Sequence, residues 1–261
     1  MNNLLKISVS KTKTFLNCKA QFNYNYNLHL QKKVWAHHTL GKFAHKALED
    51  FHNYYIEGSK DKHNIVMAKS FKNALNEYKA DVTPDIKKEC YDMMNTYLKL
   101  IANSENYYNP GNVLACEKSF SIMLNENLKL SGAIDRIQVD PDGILHVGDY
   151  KTVKNKKYLE NDFFQLLTYA YICLAEDASI QKVRASYILL RHNFEYITEE
   201  FSRDEILTIP GKYIKYAEDI LNEKDFNPNP SALCEYCDYL SHCESGLKQI
   251  SAKSAYGEMN W

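Results

Sequence analysis

LKLSGAIDRIQVDPDGILHVGDYKT, residues 128–152, is the stretch whose reading decides the fold. Apolar residues alternate up to Val139, Pro141-Asp142-Gly143 supplies turn chemistry, and a second apolar run starts at Ile144. The pattern predicts two antiparallel strands joined by a tight turn. With the turn centred near Asp142, Asp135 falls opposite Gly148 or Asp149, and directly opposed side chains lie about 5 Å apart. The strand period of two puts Asp149 and Lys151 on one face. Two carboxylates and one ammonium thus converge at the end of a hairpin. Such a group can hold a hard divalent cation and position a water beside it.

Upstream, Lys6 to Val9 reads as a short strand or extended lead. Ser8 or Ser10 then caps a helix reaching roughly Tyr26. Gly41 precedes a helix, KFAHKALEDFHNYY, with Ala44, Ala47, Leu48, Phe51 and Tyr55 as its buried stripe. His45 and Glu49 share a face beside that stripe. Two further amphipathic helices, Asn64 to Tyr78 and Asp85 to Ala102, are separated by Thr83-Pro84. They read as a helical insert over roughly residues 60–105, without convergent chemistry. Val113 to Leu124 is strand-like and contains Glu117.

Downstream, Lys154, Lys156 and Lys157 are either a solvated loop or a set of phosphate contacts. Leu159 to Ala175 reads as a helix with Gln165 and Tyr169 on one face. Val183 to Leu190 and Tyr196 to Phe201 form a second hairpin through His192-Asn193. A helix within Arg203 to Asn222 is interrupted near Ile209-Pro210-Gly211. Phe226 to Pro230 is extended, and residues 247–261 are a polar tail.

The 261 residues are 45% hydrophobic and 25% charged, the composition of an ordinary globular chain. No apolar run is long enough to span a bilayer, and Met1-Asn2-Asn3 begins no signal peptide, so a cytoplasmic protein is expected. A net charge of −1 excludes a general nucleic-acid coat, though not a local basic groove. There are no internal repeats and no G-x4-G-K-[S/T] phosphate loop, so the chain carries no motor of that type.

Of seven cysteines, Cys234, Cys237 and Cys243 form a C-x2-C-x5-C cluster. Cys18 supplies a fourth thiolate, and Cys90, Cys116 and Cys173 read as core thiols. Four thiolates suit either a [4Fe–4S] cluster or Zn2+.

Phosphodiester hydrolysis needs a nucleophilic water and an offset for developing negative charge, and carboxylate-held Mg2+ or Mn2+ supplies both. Asp135 and Asp149 are the candidate ligands, with the main-chain carbonyl of Tyr150 and His45 completing the shell. Lys151 is the candidate to hold the water and offset phosphate charge.

These residues resemble the motifs of the PD-(D/E)xK nuclease superfamily, in its RecB-like branch. Gly41 to His45 is similar to a G-x3-H helix and Gly132 to Asp135 to the metal-binding Asp motif. Asp149-Tyr150-Lys151 is similar to the D/E-x-K motif, and Gln165 with Tyr169 to the Q-x3-Y helix. Cys18 with the C-terminal trio resembles the iron–sulfur staple of AddB-type and CRISPR-associated RecB-like exonucleases.

The resemblance implies an α/β, restriction-endonuclease-like core with a mixed central sheet flanked by helices. It implies one nuclease domain over residues 1–261, with the helical insert and a staple of residues 226–246 tied to Cys18. Asp135, Asp149 and His45 would be metal ligands, Lys151 the catalytic lysine, and Gln165 and Tyr169 positioning residues. Glu117 matches a more variable family acid. The implied activity is a Mg2+- or Mn2+-dependent DNA exonuclease acting at ends or in single strands, in recombination, repair or DNA processing. Tyr24, Tyr26 and Tyr169 are candidates to stack on unpaired bases. A helicase, recombinase or CRISPR integrase partner and a prokaryotic or phage origin are also implied. The competing reading is a catalytically silent DNA-binding or assembly module that carries an iron–sulfur or zinc cluster.

Overall fold

The computed structural model describes residues 4–33, 35–103, 108–159 and 162–258. Met1-Asn2-Asn3, residues 104–105 of the expected insert, residues 160–161 and the last three residues of the tail lie outside these. In chain order the elements begin with β1 (Leu5–Ile7), α1 (Val9–Asn17), α2 (Lys19–Phe22), α3 (Ala36–Ile56), α4 (His63–Glu77) and α5 (Pro84–Asn103). There follow β2 (Val113–Asn125), β3 (Leu128–Val139), β4 (Leu145–Lys151), α6 (Phe164–Glu176), β5 (Lys182–Leu189) and β6 (Glu195–Ser202). The chain then forms α7 (Arg203–Ile206), α8 (Ile209–Asn222) and α9 (Glu244–Glu258). It divides into two compact units, residues 35–121 with 132–210, and residues 1–34 with 122–131 and 211–261.

In the larger unit the sheet runs β3-β4-β5-β6, with β2 also paired to β3. It is mixed: β3–β4 and β5–β6 are antiparallel, while β4–β5 is parallel. The turn between β3 and β4 is the expected one. Gly143 has φ 81° and its N–H donates to the Asp140 carbonyl at 2.8 Å, a conformation glycine adopts without a Cβ penalty. The register pairs Arg136 with Gly148, which brings Asp135 level with Asp149. Gly148 is itself required by close packing, because a Cβ there would lie 2.7 Å from Ile188 Cδ1.

One face of this sheet is covered by α3, α4 and α5. Leu40, Phe43, Ala47, Leu48 and Phe51 of α3 share a core with Val66, Cys90, Tyr97, Tyr150 and Ile188. The two helices read from sequence as an insert pack into this core, and α5 brings polar contacts to it. Tyr97 of α5 pairs with His52 Nε2 at 3.1 Å and accepts from the buried guanidinium of Arg136 at 3.2 Å. On the same face, His146 lies 2.9 Å from Asp140 and 2.7 Å from Ser186. That Ser–His–Asp chain is sealed, each member being at most 2% exposed, so it locks strand register and reaches no substrate.

Two helix starts differ from the sequence reading. α3 starts at Ala36, so Gly41 lies inside the helix and does not precede it. Burial of Leu40 and Phe43 outweighs the cost of a helical glycine, about 1 kcal/mol against alanine. α6 starts at Phe164, five residues after Leu159, with a 3-10 turn at Lys156–Tyr158 before it.

In the smaller unit, the first helix does not run to Tyr26. Ser8 caps α1 through Lys11 N–H at 3.2 Å, and the helix breaks at Cys18, where φ is −158°. The tail, unread from sequence, forms the helix α9 through Glu258. No described helix is long and apolar enough to cross a membrane.

Candidate active site

The hairpin presents its acids as the register requires. Asp135, 8% exposed, accepts the Tyr150 N–H at 2.9 Å. Its neighbours reach it from two other elements. His45 of α3 places Nδ1 3.5 Å from Asp135 Oδ2 and 3.3 Å from Glu117 Oε1 of β2. His45, Glu117 and Asp135 each offer a ligand atom within 4.8 Å of the others. One imidazole nitrogen and two carboxylate oxygens suit a divalent cation of the Mg2+ or Mn2+ class.

Glu117 is aimed by its backbone. It sits in the left-handed region at φ 45° in the middle of β2, which breaks the strand's side-chain alternation. A strand reading places Glu117 on an exposed face, and no local sequence signal marks the reversal. The Tyr150 carbonyl is also at the site, 3.1 Å from His45 Nε2.

Asp149 lies beside this group with a second set of partners. Lys151 Nζ is 2.7 Å from its Oδ2, and Gln165 Nε2 donates to its Oδ1. Gln165 spans the corner: Nε2 also donates to Tyr169 Oη at 2.8 Å, and Oε1 accepts from Lys151 at 3.3 Å. The four-residue spacing of Gln165 and Tyr169 on α6 is what lets both side chains reach β4. Tyr169 is only 4% exposed and cannot stack on a base.

The electrostatics are those of crowded acids. Burial and the charge of Asp149 raise the Asp135 carboxyl to about 7, against the opposing pull of His45 and the Tyr150 N–H. Burial works against a charged His45, but its hydrogen bond to Glu117 and the charges of Asp135 and Asp149 win and hold it near 9. The imidazole is therefore a cation at neutral pH, standing where a metal ion's charge would relieve the same repulsion.

Lys154 and Lys157 are exposed, while Lys156 is tied to Glu195. Tyr24 and Tyr26 are half-buried, Tyr24 donating to the His242 carbonyl at 3.1 Å and Tyr26 lying against Phe22.

The smaller unit gathers Cys18, Cys234, Cys237 and Cys243 around one cavity of about 30 Å3. Backbone N–H groups donate to three of the sulfurs: Asn229 to Cys18 at 3.5 Å, Ser231 to Cys234 at 3.3 Å and Gly246 to Cys243 at 3.3 Å. At Cys237, burial pushes the thiol up while the Tyr239 backbone N–H opposes it. A backbone N–H is thus directed at each of the four sulfurs, an arrangement of the kind that surrounds metal-ligating sulfurs. Cys90 and Cys173 are buried in the larger unit, as expected of core thiols.

Over residues 6–244 the sequence matches the family model of the PD-(D/E)XK nuclease superfamily. It is also similar to one component of the ATP-dependent helicase/deoxyribonuclease of Streptococcus agalactiae, in serotypes Ia, V and III. Each of these three relatives is 27% identical over 183 residues, covering 63% of this chain and 16% of the relative. The chain thus matches about one sixth of the length of those proteins. A Eubacterium rectale protein described as an exonuclease has a similar fold, with a TM-score of 0.52 at 12% identity over 91% of this chain and 87% of that one. The mixed sheet flanked by helices, the acidic hairpin and the extent of the family match agree: this chain belongs to the PD-(D/E)XK nuclease superfamily.

Proposed function

We propose that the protein is a Mg2+- or Mn2+-dependent deoxyribonuclease that hydrolyses phosphodiester bonds at DNA ends or in single strands. The observation that carries this reading is the convergence of Asp135, Asp149 and Lys151 on one hairpin, with His45 and Glu117 brought to the same acids from other elements. His45, Glu117, Asp135, Asp149 and the Tyr150 carbonyl would hold the cation, which lowers the pKa of bound water and offsets charge on the phosphate. Lys151, fixed between Asp149 and Gln165, orients the attacking water and faces the phosphate. Gln165 and Tyr169 hold Asp149 in place. Lys154 and Lys157, both exposed, would meet DNA phosphates beyond the hairpin.

The test is degradation of end-labelled single- and double-stranded DNA with Mg2+ or Mn2+, comparing wild type with Asp149→Ala and Lys151→Ala. Both variants should lose activity by at least about a hundredfold. Equal degradation by all three would sink the assignment. Metal-dependent binding of DNA by a wild type that never cuts would favour the assembly-module reading.

A second prediction concerns protons. At pH 7.5 His45 enters the metal-free site charged, so coordination through its ring must expel a proton. Calorimetry of Mn2+ binding in buffers of different ionisation enthalpy should show release approaching one proton, lost in His45→Ala. No release by wild type would remove His45 from the ligand set.

For the cysteines we favour a [4Fe–4S] cluster over Zn2+, supported by the four-sulfur cavity, its N–H donors and the resemblance to stapled relatives. The expected protein is brown, with broad visible absorption that reduction bleaches. A colourless, anaerobically purified protein with stoichiometric zinc would decide for the alternative. Similarity to part of a helicase/deoxyribonuclease supports work beside a separate motor protein. A recombinase or CRISPR integrase is a further partner, in a bacterial or phage-infected cytoplasm.

A further inference from the structure

A cavity of about 670 Å3 opens beside the metal-ligand group, and the nuclease reading does not account for most of its lining. His37, Gly41, His45 and Glu49 line it at four-residue intervals, a single stripe along α3, with His38, Lys42 and Lys46 beside them. At a rise of about 1.5 Å per residue, His37 lies roughly 12 Å along the helix from His45.

The two ends of this cleft differ in chemistry. Toward the C-terminal end of α3, Glu49 and Glu77 carry the charge of a phosphate, and Lys46 is committed to Glu49 and Asp50 at 3.0 and 2.9 Å. Toward the N-terminal end, the lining offers two imidazole rings and the Lys42 ammonium. His37 and His38 are exposed, with ring centroids 4.3 Å apart, and behind them the half-buried Trp35 ring, outside the cavity lining, lies 5.9 Å from His37 at 31°. Lys42 is exposed one turn further on. Between them and His45, Gly41 adds no side chain to the cleft, and Thr152 faces it, its Oγ1 3.5 Å from where a Cβ would stand.

We propose that this half of the cleft is the track for a single-stranded DNA end, with Trp35, His37 and His38 stacking unpaired bases and Lys42 holding a phosphate. The inference rests on the nuclease reading and names the substrate form that reaches its site. Flat rings on a groove wall engage the faces of unpaired bases, whereas duplex bases are stacked on each other and offer only their edges. A basic groove follows the backbone while the rings register the bases, which is the arrangement of sequence-tolerant single-strand binders. The acidic end turns the strand the other way, so phosphates pass His45 coming from the His37 side.

The experiment uses the full chain, comparing wild type with Trp35→Ala, a His37→Ala/His38→Ala double variant and Lys42→Glu, each verified to melt with wild type. Binding of fluorescein-labelled oligothymidylate and of a blunt duplex is measured in EDTA. Turnover of bis(p-nitrophenyl) phosphate, a diester too small to reach the rings, is measured with Mn2+. Trp35→Ala and the histidine pair should weaken oligothymidylate binding roughly 10- to 100-fold, from about 1–3 kcal/mol per stacked base. Lys42→Glu should weaken it with a reduced salt dependence. Duplex binding and small-diester turnover should stay at wild-type values. Unchanged oligothymidylate binding overturns the track, and so does a parallel loss of small-diester turnover, which would place these residues in the metal site. A wild type that cleaves neither DNA nor the small diester refutes the nuclease reading instead, and the binding series in EDTA still decides the track.

Discussion

Asp135→Asn is expected to abolish DNA hydrolysis and, in the same protein, to raise the melting temperature in EDTA. The carboxyl is buried among like charges and is raised from 3.8 to about 7. An acid whose folded pKa lies above its unfolded value keeps its proton in the fold longer than in the open chain. Stability is then lost as pH climbs from about 4 to about 7, and the deficit is complete above that. At about 1.4 kcal/mol per pKa unit, the ceiling is about 4 kcal/mol. The variant also deprives His45 of a partner, which brings the expected gain at pH 8 to roughly 1–2 kcal/mol. Toward pH 4 the two proteins should converge. Mn2+ provides the complementary measurement: saturation to a hundred times Kd should stabilise wild type by about 2.7 kcal/mol and leave Asp135→Asn unmoved. A variant that melts lower than wild type in EDTA at pH 8, yet still responds to Mn2+, would show that Asp135 is a structural acid.

Cys237→Ser is expected to cost about 5 kcal/mol of stability together with the visible chromophore. Within the smaller unit, a cluster on Cys18, Cys234, Cys237 and Cys243 closes a loop that takes in most of the chain. In the chain-entropy description developed for disulfides, a loop from Cys18 to Cys234 removes about 5 kcal/mol of unfolded-state freedom. That is comparable to the whole stability of many domains. Urea midpoints of anaerobically prepared wild type and variant give the comparison, with iron content measured in parallel. Equal midpoints with iron absent only from the variant would mean the cluster is not a staple. Because the variant leaves the acidic hairpin untouched, its early-time rate on bis(p-nitrophenyl) phosphate should match wild type before it unfolds.

The hairpin was legible because its information is local. A Pro-Asp-Gly turn fixes the register, and the strand period then fixes which acids face each other. Gln165 and Tyr169 were legible for the same reason, since four residues on a helix is a rule of geometry. What stayed hidden depends on partners distant in sequence. The His52–Tyr97–Arg136 and Asp140–His146–Ser186 chains join side chains up to 45 residues apart, and nothing local distinguishes such residues from surface ones. The start of α3 was hidden by Gly41, a residue that normally marks a helix end and here lies inside, its position one Cβ away from Thr152 Oγ1 at 3.5 Å. The break at Cys18 interrupts an otherwise continuous helical pattern, and the cysteine's neighbours across the cavity come from the far end of the chain.

The left-handed backbone at Glu117 bears on how this protein can be improved. A non-glycine residue held at positive φ carries a strain of about 1–3 kcal/mol, and glycine at the same place would be relaxed. Any campaign that ranks substitutions by thermal tolerance alone will therefore favour Glu117→Gly, the relief of a like charge beside Asp135 being offset by the partner His45 loses. Such selection, run without a metal or an activity screen, drifts toward a sturdier fold from which a carboxylate of the proposed cation site has been bred out.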